Sequence, residues 1–585
     1  VAQGWLQVAV FVGVTIALTR PLGAYMARVY SGRRVFLTPV IGPAERFTYR
    51  LFRVDPGEQQ DWKSYARTLI VFSGLFWIAL YLILRTQGIQ PFNPAGFHSA
   101  PWDVSFNTTS SFVTNTNWQY YGGETTLTYF AQMAGLTVQN FVSAGVGMAV
   151  VVAMIRGFTA RSGGSLGNFW QDLIRGLYYI LAPLAFLVTL ILVSQGVLQT
   201  LGHAVSITTL EGANQTLALG PVASQVAIKQ LGTNGGGFFN VNSAMPFENA
   251  TQLSNFVEML AIVLIPAALT YTYGRMVGAQ RQGWAIFAAM LVLWVAFIAV
   301  ILPAEQHGTP SQHLAGLDTY AFNGSTGGNL EGKEQRFGIA DSSLWATTTT
   351  VTSNGSVNAA MESFTGLGAA VPMAGLATSE VVFGGVGTGL YSMLLFVLLA
   401  VFIGGLMVGR TPEYLGKKIQ AREIKLVSLG VLFTPLAVLV TAGLATATRL
   451  GTRSIFAGIN PQGFSETLYA YLSQANNNGS AFAGYTGFVQ PNAPGNSGSY
   501  GITFADLLGG ATMIVARFVP ILVVLAVAGS LARKKASPAG LGTMRTDNPT
   551  FVFLLIGVVI LVGALTFFPA LLLGPIVQSL TTRLF

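Results

Sequence analysis

Apolar runs of about 20 residues recur along the whole of this 585-residue chain. A run of that length is what an α-helix needs to cross the hydrocarbon core of a bilayer. Ten such spans are predicted, near 4–24, 65–85, 133–155, 176–198, 255–274, 283–302, 387–409, 426–447, 505–530 and 551–574. With 52% hydrophobic and 9% charged residues, the chain has too little polar surface for a water-soluble domain, which carries about 25% charge. The expected fold class is therefore an all-α polytopic membrane protein, with lipid as its first partner.

The formal charge of +9 does not indicate nucleic-acid binding, because the basic residues are sorted by side. Most of the 31 Lys and Arg fall in loops on one face of the predicted topology. The other face holds only Arg85, Lys229, Lys333, Arg336, Arg449, Arg453 and Arg583, and Arg517 lies inside a span. The positive-inside rule then predicts both termini on the outer side of the membrane. The first span lacks a basic leading segment and carries Arg20 at its far end, so it reads as an uncleaved helix, not a signal peptide. There is no cysteine, and His98, His203, His307 and His313 have no metal-ligand spacing.

Four long outward segments, near 86–132, 199–254, 303–386 and 448–504, each contain a short apolar stretch followed by a polar cluster. The clusters are "TNTN" at 114–117, "TNGG" at 233–236, "SNGS" at 353–356 and "NNGS" at 477–480. Asn takes the second place every time, and Gly the third in all but the first, where Thr116 stands. One such cluster is an ordinary surface turn. Four at separations of 119, 120 and 124 residues make an internal repeat of helix, short re-entrant helix, loop and helix. Irregular backbone at membrane depth is tolerated only where protein buries it or where it lines a water-filled path. Four pseudo-equivalent loops would form a ring of backbone carbonyls able to replace a cation's hydration shell. None of the tetrapeptides contains Asp or Glu, and neutral carbonyls suit a monovalent cation.

The stretches "TNTNWQ", "GTNGGGFFN", "ENATQLSNFVEM", "EVVFGGVGTGLY", "GRTPEYLGKKI" and "NNNGSAFAG" resemble the potassium-binding A subunits (KdpA) of bacterial Kdp-type potassium-transporting ATPases. The resemblance runs from the first span to the last. It implies four helix–pore helix–filter loop–helix repeats of the potassium-transporter superfamily, near 60–160, 170–280, 281–412 and 424–532. One extra helix would be added at each end, at 1–30 and 548–585. It implies K+ as the transported ion, taken up from outside. ATP and Mg2+ would be handled only by a P-type ATPase (KdpB-like) subunit, with KdpC-like and small KdpF-like subunits completing the complex. By motif match the K+ filter is expected at Thr114, Asn115, Thr116, Thr233, Asn234, Gly235, Ser353, Asn354, Gly355, Asn477, Asn478 and Gly479, with Gln119 in support. The chain itself carries no ATP-hydrolysing residues: "GGNLEGK" at 327–333 is followed by Glu334, not by the Ser or Thr of a phosphate-binding loop, and reads as a loop.

Residues 360–409 are too many for one straight span and carry Glu380, Gly384, Gly385, Gly387 and Gly389. Two readings stand: an outer helix with a turn, or a transmembrane helix broken below the filter as a gate, which the family resemblance favours. Arg517 is either a structural partner of a carboxylate or helix end, or a cation beneath the filter that discourages leak. An alternative function is a Trk/Ktr-like K+ channel subunit gated by a cytoplasmic regulator. An intramembrane enzyme lacks a visible catalytic set.

Overall fold

The structure, a computed structural model, describes residues 2–161, 163–320, 327–455, 458, 460–485, 500–537 and 543–580; the side chains of 311 and 500–503 are not among the described atoms. Arg583 and the stretch 486–499 of the fourth outward segment lie outside the described residues. Ten described helices are long and apolar enough to cross a membrane, and they coincide with the ten predicted runs.

In chain order the elements are α1 (Ala2–Tyr30), α2 (Thr38–Leu51), α3 (Trp62–Thr86), α4 (Trp102–Val113), α5 (Ala131–Thr159), α6 (Phe169–Ser194), α7 (Val222–Leu231), α8 (Gln252–Met276) and α9 (Gln280–His307). They continue with α10 (Gly338–Val351), α11 (Gly366–Ala377), α12 (Thr388–Met407), α13 (Ala421–Ala447), α14 (Pro461–Ala475), α15 (Tyr500–Ala532) and α16 (Pro549–Leu571). Polar caps mark where the chain enters several spans. Asp61, Asn168 and Asn548 accept the amides of Ser64, Gln171 and Phe551, and Thr251 with Ser254 closes a capping box.

The four short helices α4, α7, α10 and α14 have 10–15 residues, which at 1.5 Å per residue cannot cross a core about 30 Å thick. Each follows a long span, ends in one of the polar clusters and is returned by the next span, which is the predicted repeat. In the third repeat the return is broken: α11 and α12 are separate helices with residues 378–387 between them.

The core lies around α5, whose most apolar stretch is 89% buried, whereas the corresponding stretches of α1, α3 and α13 are 28% buried and leave apolar surface for lipid. Small residues let backbones meet where α5 crosses α15: a Cβ on Gly157 would stand 2.8 Å from the Cα of Ala528. Lys417, buried on a short hairpin, closes the same end by donating to the carbonyls of Gly157, Ala160 and Leu531 at 3.0, 2.6 and 2.7 Å. The 327–333 stretch is a loop, as expected. Its Lys333 pairs with Glu305 at 2.8 Å with both side chains buried, and Asn329 donates to the same carboxylate.

Candidate functional site: a ring of four loops

At the end of each short helix the chain reverses through residues with positive φ. These are Asn115 (71°) and Asn117 (52°), Thr233 (47°) and Gly235 (72°), Ser353 (52°) and Gly355 (95°), and Asn477 (51°) and Gly479 (98°). Between each pair sits a residue whose amide reaches back five residues into its own helix. Thr116 donates to Ser111 O, Asn234 to Lys229 O, Asn354 to Thr349 O and Asn478 to Ser473 O, all at 2.8–2.9 Å.

This geometry corrects the alignment of the first repeat by one residue. Thr116, not Asn115, is the counterpart of Asn234, Asn354 and Asn478. Asn117, not Thr116, stands where the other loops have glycine. Thr114 is the last turn of its helix, equivalent to Gly232, Thr352 and Asn476. Matching by letters puts Asn under Asn, but the helix ends set the true register. The signal was available, since Asn is the commonest non-glycine residue at positive φ and "NTN" places two of them at the required spacing.

The glycines are required by their neighbours as well as by φ. A Cβ on Gly235 would stand 1.9 Å from Asn354 O, one on Gly355 1.8 Å from Asn478 O, and one on Gly479 2.1 Å from Thr116 O. Each loop therefore abuts the equivalent carbonyl of the next, in the order two to three, three to four, four to one. Asn117 has a Cβ, and there the contact is made by its side chain, whose Nδ2 donates to Gly235 O at 3.0 Å and to Asn140 Oδ1 at 2.7 Å. The ring closes, and its backbone is buried.

The asparagine amides brace this ring. Asn354 Nδ2 donates to Lys229 O at 3.0 Å, and Asn478 Nδ2 donates to Thr349 O at 2.8 Å, each tying its loop to the preceding short helix. Asn234 Nδ2 donates to Asn115 Oδ1 and Ser143 Oγ, Asn115 Nδ2 to Thr233 O, and Asn477 Nδ2 to Thr116 Oγ1 at 2.9 Å. Gln119 holds the Gly237 peptide from both sides, donating to its carbonyl at 3.1 Å and accepting its amide at 3.0 Å. Asn117, Asn140, Ser143 and Lys229 were not among the expected site residues. Lys229 is fully buried against Glu248 at 2.5 Å, so the cation at the end of α7 is neutralised locally.

Electrostatically the ring suits a cation. The C-terminal ends of four short helices, each carrying a partial negative charge, lead into the loops, and no loop tetrapeptide contains a carboxylate. Beyond the second loop, Glu124 accepts the amide of Asn240 at 3.0 Å, and burial holds its carboxyl above the usual carboxylate range.

Glu380, Gly384, Gly385, Gly387 and Gly389 lie in and just after the break between α11 and α12, directly against the second loop: Val386 N donates to Thr233 Oγ1 at 2.7 Å. Gly387 (φ 87°) packs on α5, where a Cβ would stand 2.0 Å from Gly147 O. Gly384 and Gly389 also meet backbone within 2.3 Å of a Cβ position, whereas Gly385 has ordinary room. Arg517 is buried and donates from Nη1 to Thr388 Oγ1 at 2.7 Å, the first residue of α12. Glu380, Thr388, Tyr391, Asn477, Arg517 and Pro520 line a small cavity of ≈ 20 Å³, enough for a water-sized species. One oxygen of Glu380 has no hydrogen-bond partner among the described residues. The two ionisable residues singled out from the sequence thus share one cavity with a loop residue.

Residues 9–580 match the family KdpA, described as Potassium-transporting ATPase A subunit. A protein named Potassium-transporting ATPase potassium-binding subunit from Sorangium cellulosum is 53% identical over 588 residues, covering 99% of both chains. One of the same name from Mesorhizobium japonicum is 53% identical over 578 residues, covering 99% of this chain and 98% of its own. Among solved structures, the potassium transporter TrkH from Vibrio parahaemolyticus shares the fold, with a TM-score of 0.51 at 13% identity over 87% of this chain and 97% of that one. Matched over nearly its whole length at such identity, the chain belongs to the KdpA family of potassium-transporting ATPase A subunits.

Proposed function

We propose that this chain is the K+-selecting subunit of an ATP-driven potassium uptake pump, and that its four-loop ring is the K+ filter. The observation that carries the reading is the ring itself: equivalent backbone carbonyls held one against the next by glycine contacts and asparagine braces, with helix C-termini behind them. K+ entering from outside exchanges its water shell for carbonyls of the loops at 114–117, 233–235, 353–355 and 477–479. Thr114 ends a helix, and Asn117 contributes to the loop in its place. Gln119 supports the filter from the side.

Below the ring, the break at 378–387 is the movable barrier, and the cavity shared by Glu380 and Arg517 is where an ion leaves the filter. Arg517 repels a cation moving straight through, and Glu380 receives it on the way to a P-type ATPase subunit that binds ATP and Mg2+. KdpC-like and KdpF-like subunits complete the assembly in the inner membrane, with both termini of this chain outside. A Trk-like channel assembly is not favoured: the full-length relatives are named as ATPase subunits, and the likeness to TrkH concerns the fold.

The test is K+-stimulated ATP hydrolysis by the complex purified with this chain at its native expression level. Stimulation by K+ but not by Na+, with copurification of a P-type ATPase, is the expected result. Copurification with a nucleotide-binding regulatory ring and no ATPase would overturn it.

A further inference from the structure

The filter and the break assign no role to the helix α2 and the turn that leads into it. Helix α2 carries three stripes. Ile41, Gly42, Glu45, Thr48 and Tyr49 face the protein, where Thr48 Oγ1 meets Tyr178 OH at 2.9 Å and Arg175 Nε meets Glu45 Oε1 at 3.2 Å. Val40, Ala44, Phe47 and Leu51, spaced i, i+4, i+7 and i+11, form an opposite apolar stripe. Of these Val40 is 76% exposed, Phe47 64% and Leu51 61%. Arg46 and Arg50 run along the edge between the two, and Arg53 follows just past the end of the helix. Arg28, Arg33, Arg34, Arg46, Arg50 and Arg53 are exposed and make no side-chain hydrogen bond or ion pair among the described residues, so their charges are uncompensated there.

A pocket of ≈ 190 Å³ opens where α1, the turn at 31–37, α2 and α6 meet. Arg33, Arg34, Thr38, Arg175 and Tyr179 line it together with Glu45. That carboxylate does not repel an incoming anion as a free one would, because Arg175, Tyr49 (2.9 Å) and Tyr179 (2.7 Å) already occupy it. The Nη atoms of Arg175 face Gly32, 3.5 and 3.6 Å from where a Cβ would stand, and have no hydrogen-bond acceptor among the described residues.

We propose that α2 lies in the membrane interface and that this pocket binds the phosphate headgroup of an anionic phospholipid. The apolar stripe enters the acyl boundary and the arginine edge meets the headgroups. The reasoning rests on charge complementarity combined with position. Unpaired guanidiniums follow directly on a membrane-spanning helix, flank an exposed apolar stripe and surround a pocket of headgroup size. A soluble anion would need the pocket but not the exposed apolar stripe of Val40, Phe47 and Leu51 beside it.

The test uses the full purified complex in detergent, incubated with equal amounts of dioleoyl-phosphatidylglycerol and dioleoyl-phosphatidylcholine and read by native mass spectrometry. Phosphatidylglycerol should be retained about 25-fold over phosphatidylcholine. The R33Q/R34Q variant should bring the ratio near parity, at roughly fivefold per arginine removed, while R33K/R34K keeps most of the preference and shows that the fold is intact. Equal retention of the two lipids by the unaltered protein, or full preference in R33Q/R34Q, would overturn the proposal. So would release of the lipid by millimolar inorganic phosphate, which would mark a site for a small anion. A photo-crosslinker in place of Phe47, used in native membranes, should label lipid; a crosslink to another polypeptide would show that α2 is covered by a partner.

Discussion

Gly235→Ala is the sharpest probe of the ring, because the structure says where the added methyl goes. It would stand 1.9 Å from the carbonyl oxygen of Asn354, and real Cβ atoms essentially never come within 3.0 Å, so the second and third loops must part by about 1.1 Å. The backbone at residue 235 also has φ 72°, which costs an L-residue roughly 1–2 kcal/mol. Overpacking a tight site adds about 1–3 kcal/mol. The total is small enough for the protein to fold and large enough to move the loop. An ion-binding loss of about 1.5–2.5 kcal/mol corresponds to roughly 10- to 70-fold weaker K+. The assay is K+-stimulated ATP hydrolysis by the purified complex, with apparent K+ affinity and competition by Rb+, NH4+ and Na+. Gly74→Ala, where nothing lies within 4 Å of the new Cβ, is the matched control and should leave both unchanged. A stably folded Gly235→Ala complex with K+ affinity within twofold of the parent and intact selectivity would refute the assignment of this loop to the filter.

Arg517→Gln is expected to loosen coupling, giving passive K+ flux or ATP turnover without matched transport in proteoliposomes, whereas Glu380→Gln should lower K+-stimulated turnover with K+ binding retained. If both variants are stable and neither changes coupling, the residues are structural. Glu248→Gln leaves Lys229 buried without its partner and should destabilise the protein by about 3–5 kcal/mol, read by thermal unfolding; the double variant Lys229→Met with Glu248→Gln should recover much of the loss. Orientation is tested with single cysteines in this cysteine-free chain: an impermeant reagent added outside should label Leu210→Cys and spare Arg410→Cys and Arg422→Cys, all exposed positions, whereas Lys417 is buried and unsuited. Burial raises the pKa of Glu124 in the folded state, so its stabilising contribution is complete below the ordinary carboxylate range and lost as pH rises through the raised value. Glu124→Gln should flatten that part of the stability-versus-pH curve, and an unchanged slope would refute the assignment.

The sequence by itself determined the ten spans, the four repeats and the polar clusters, because these depend on local length and hydropathy; it marked the glycines at 384–389 but left a turn and a broken helix both open, and the structure puts the interruption at 378–387. Even the asymmetry of the first loop was written there as "TNTN", though its register was not. Register depends on which carbonyl of the short helix each amide reaches back to, and on which neighbouring backbone a Cβ would strike; letters aligned by identity carry neither. Only the tertiary structure showed that the asparagine side chains reach into adjacent repeats, since their partners there are 91–129 residues away or, for Asn477 and Thr116, 361. The same holds for Arg517 and Glu380, distant in sequence and brought to one cavity because α15 crosses the break. It also holds for Lys229, which reads as an outward-loop charge and is buried on Glu248. Interhelical packing decides such contacts, and a one-dimensional pattern does not carry the three-dimensional distance on which they depend.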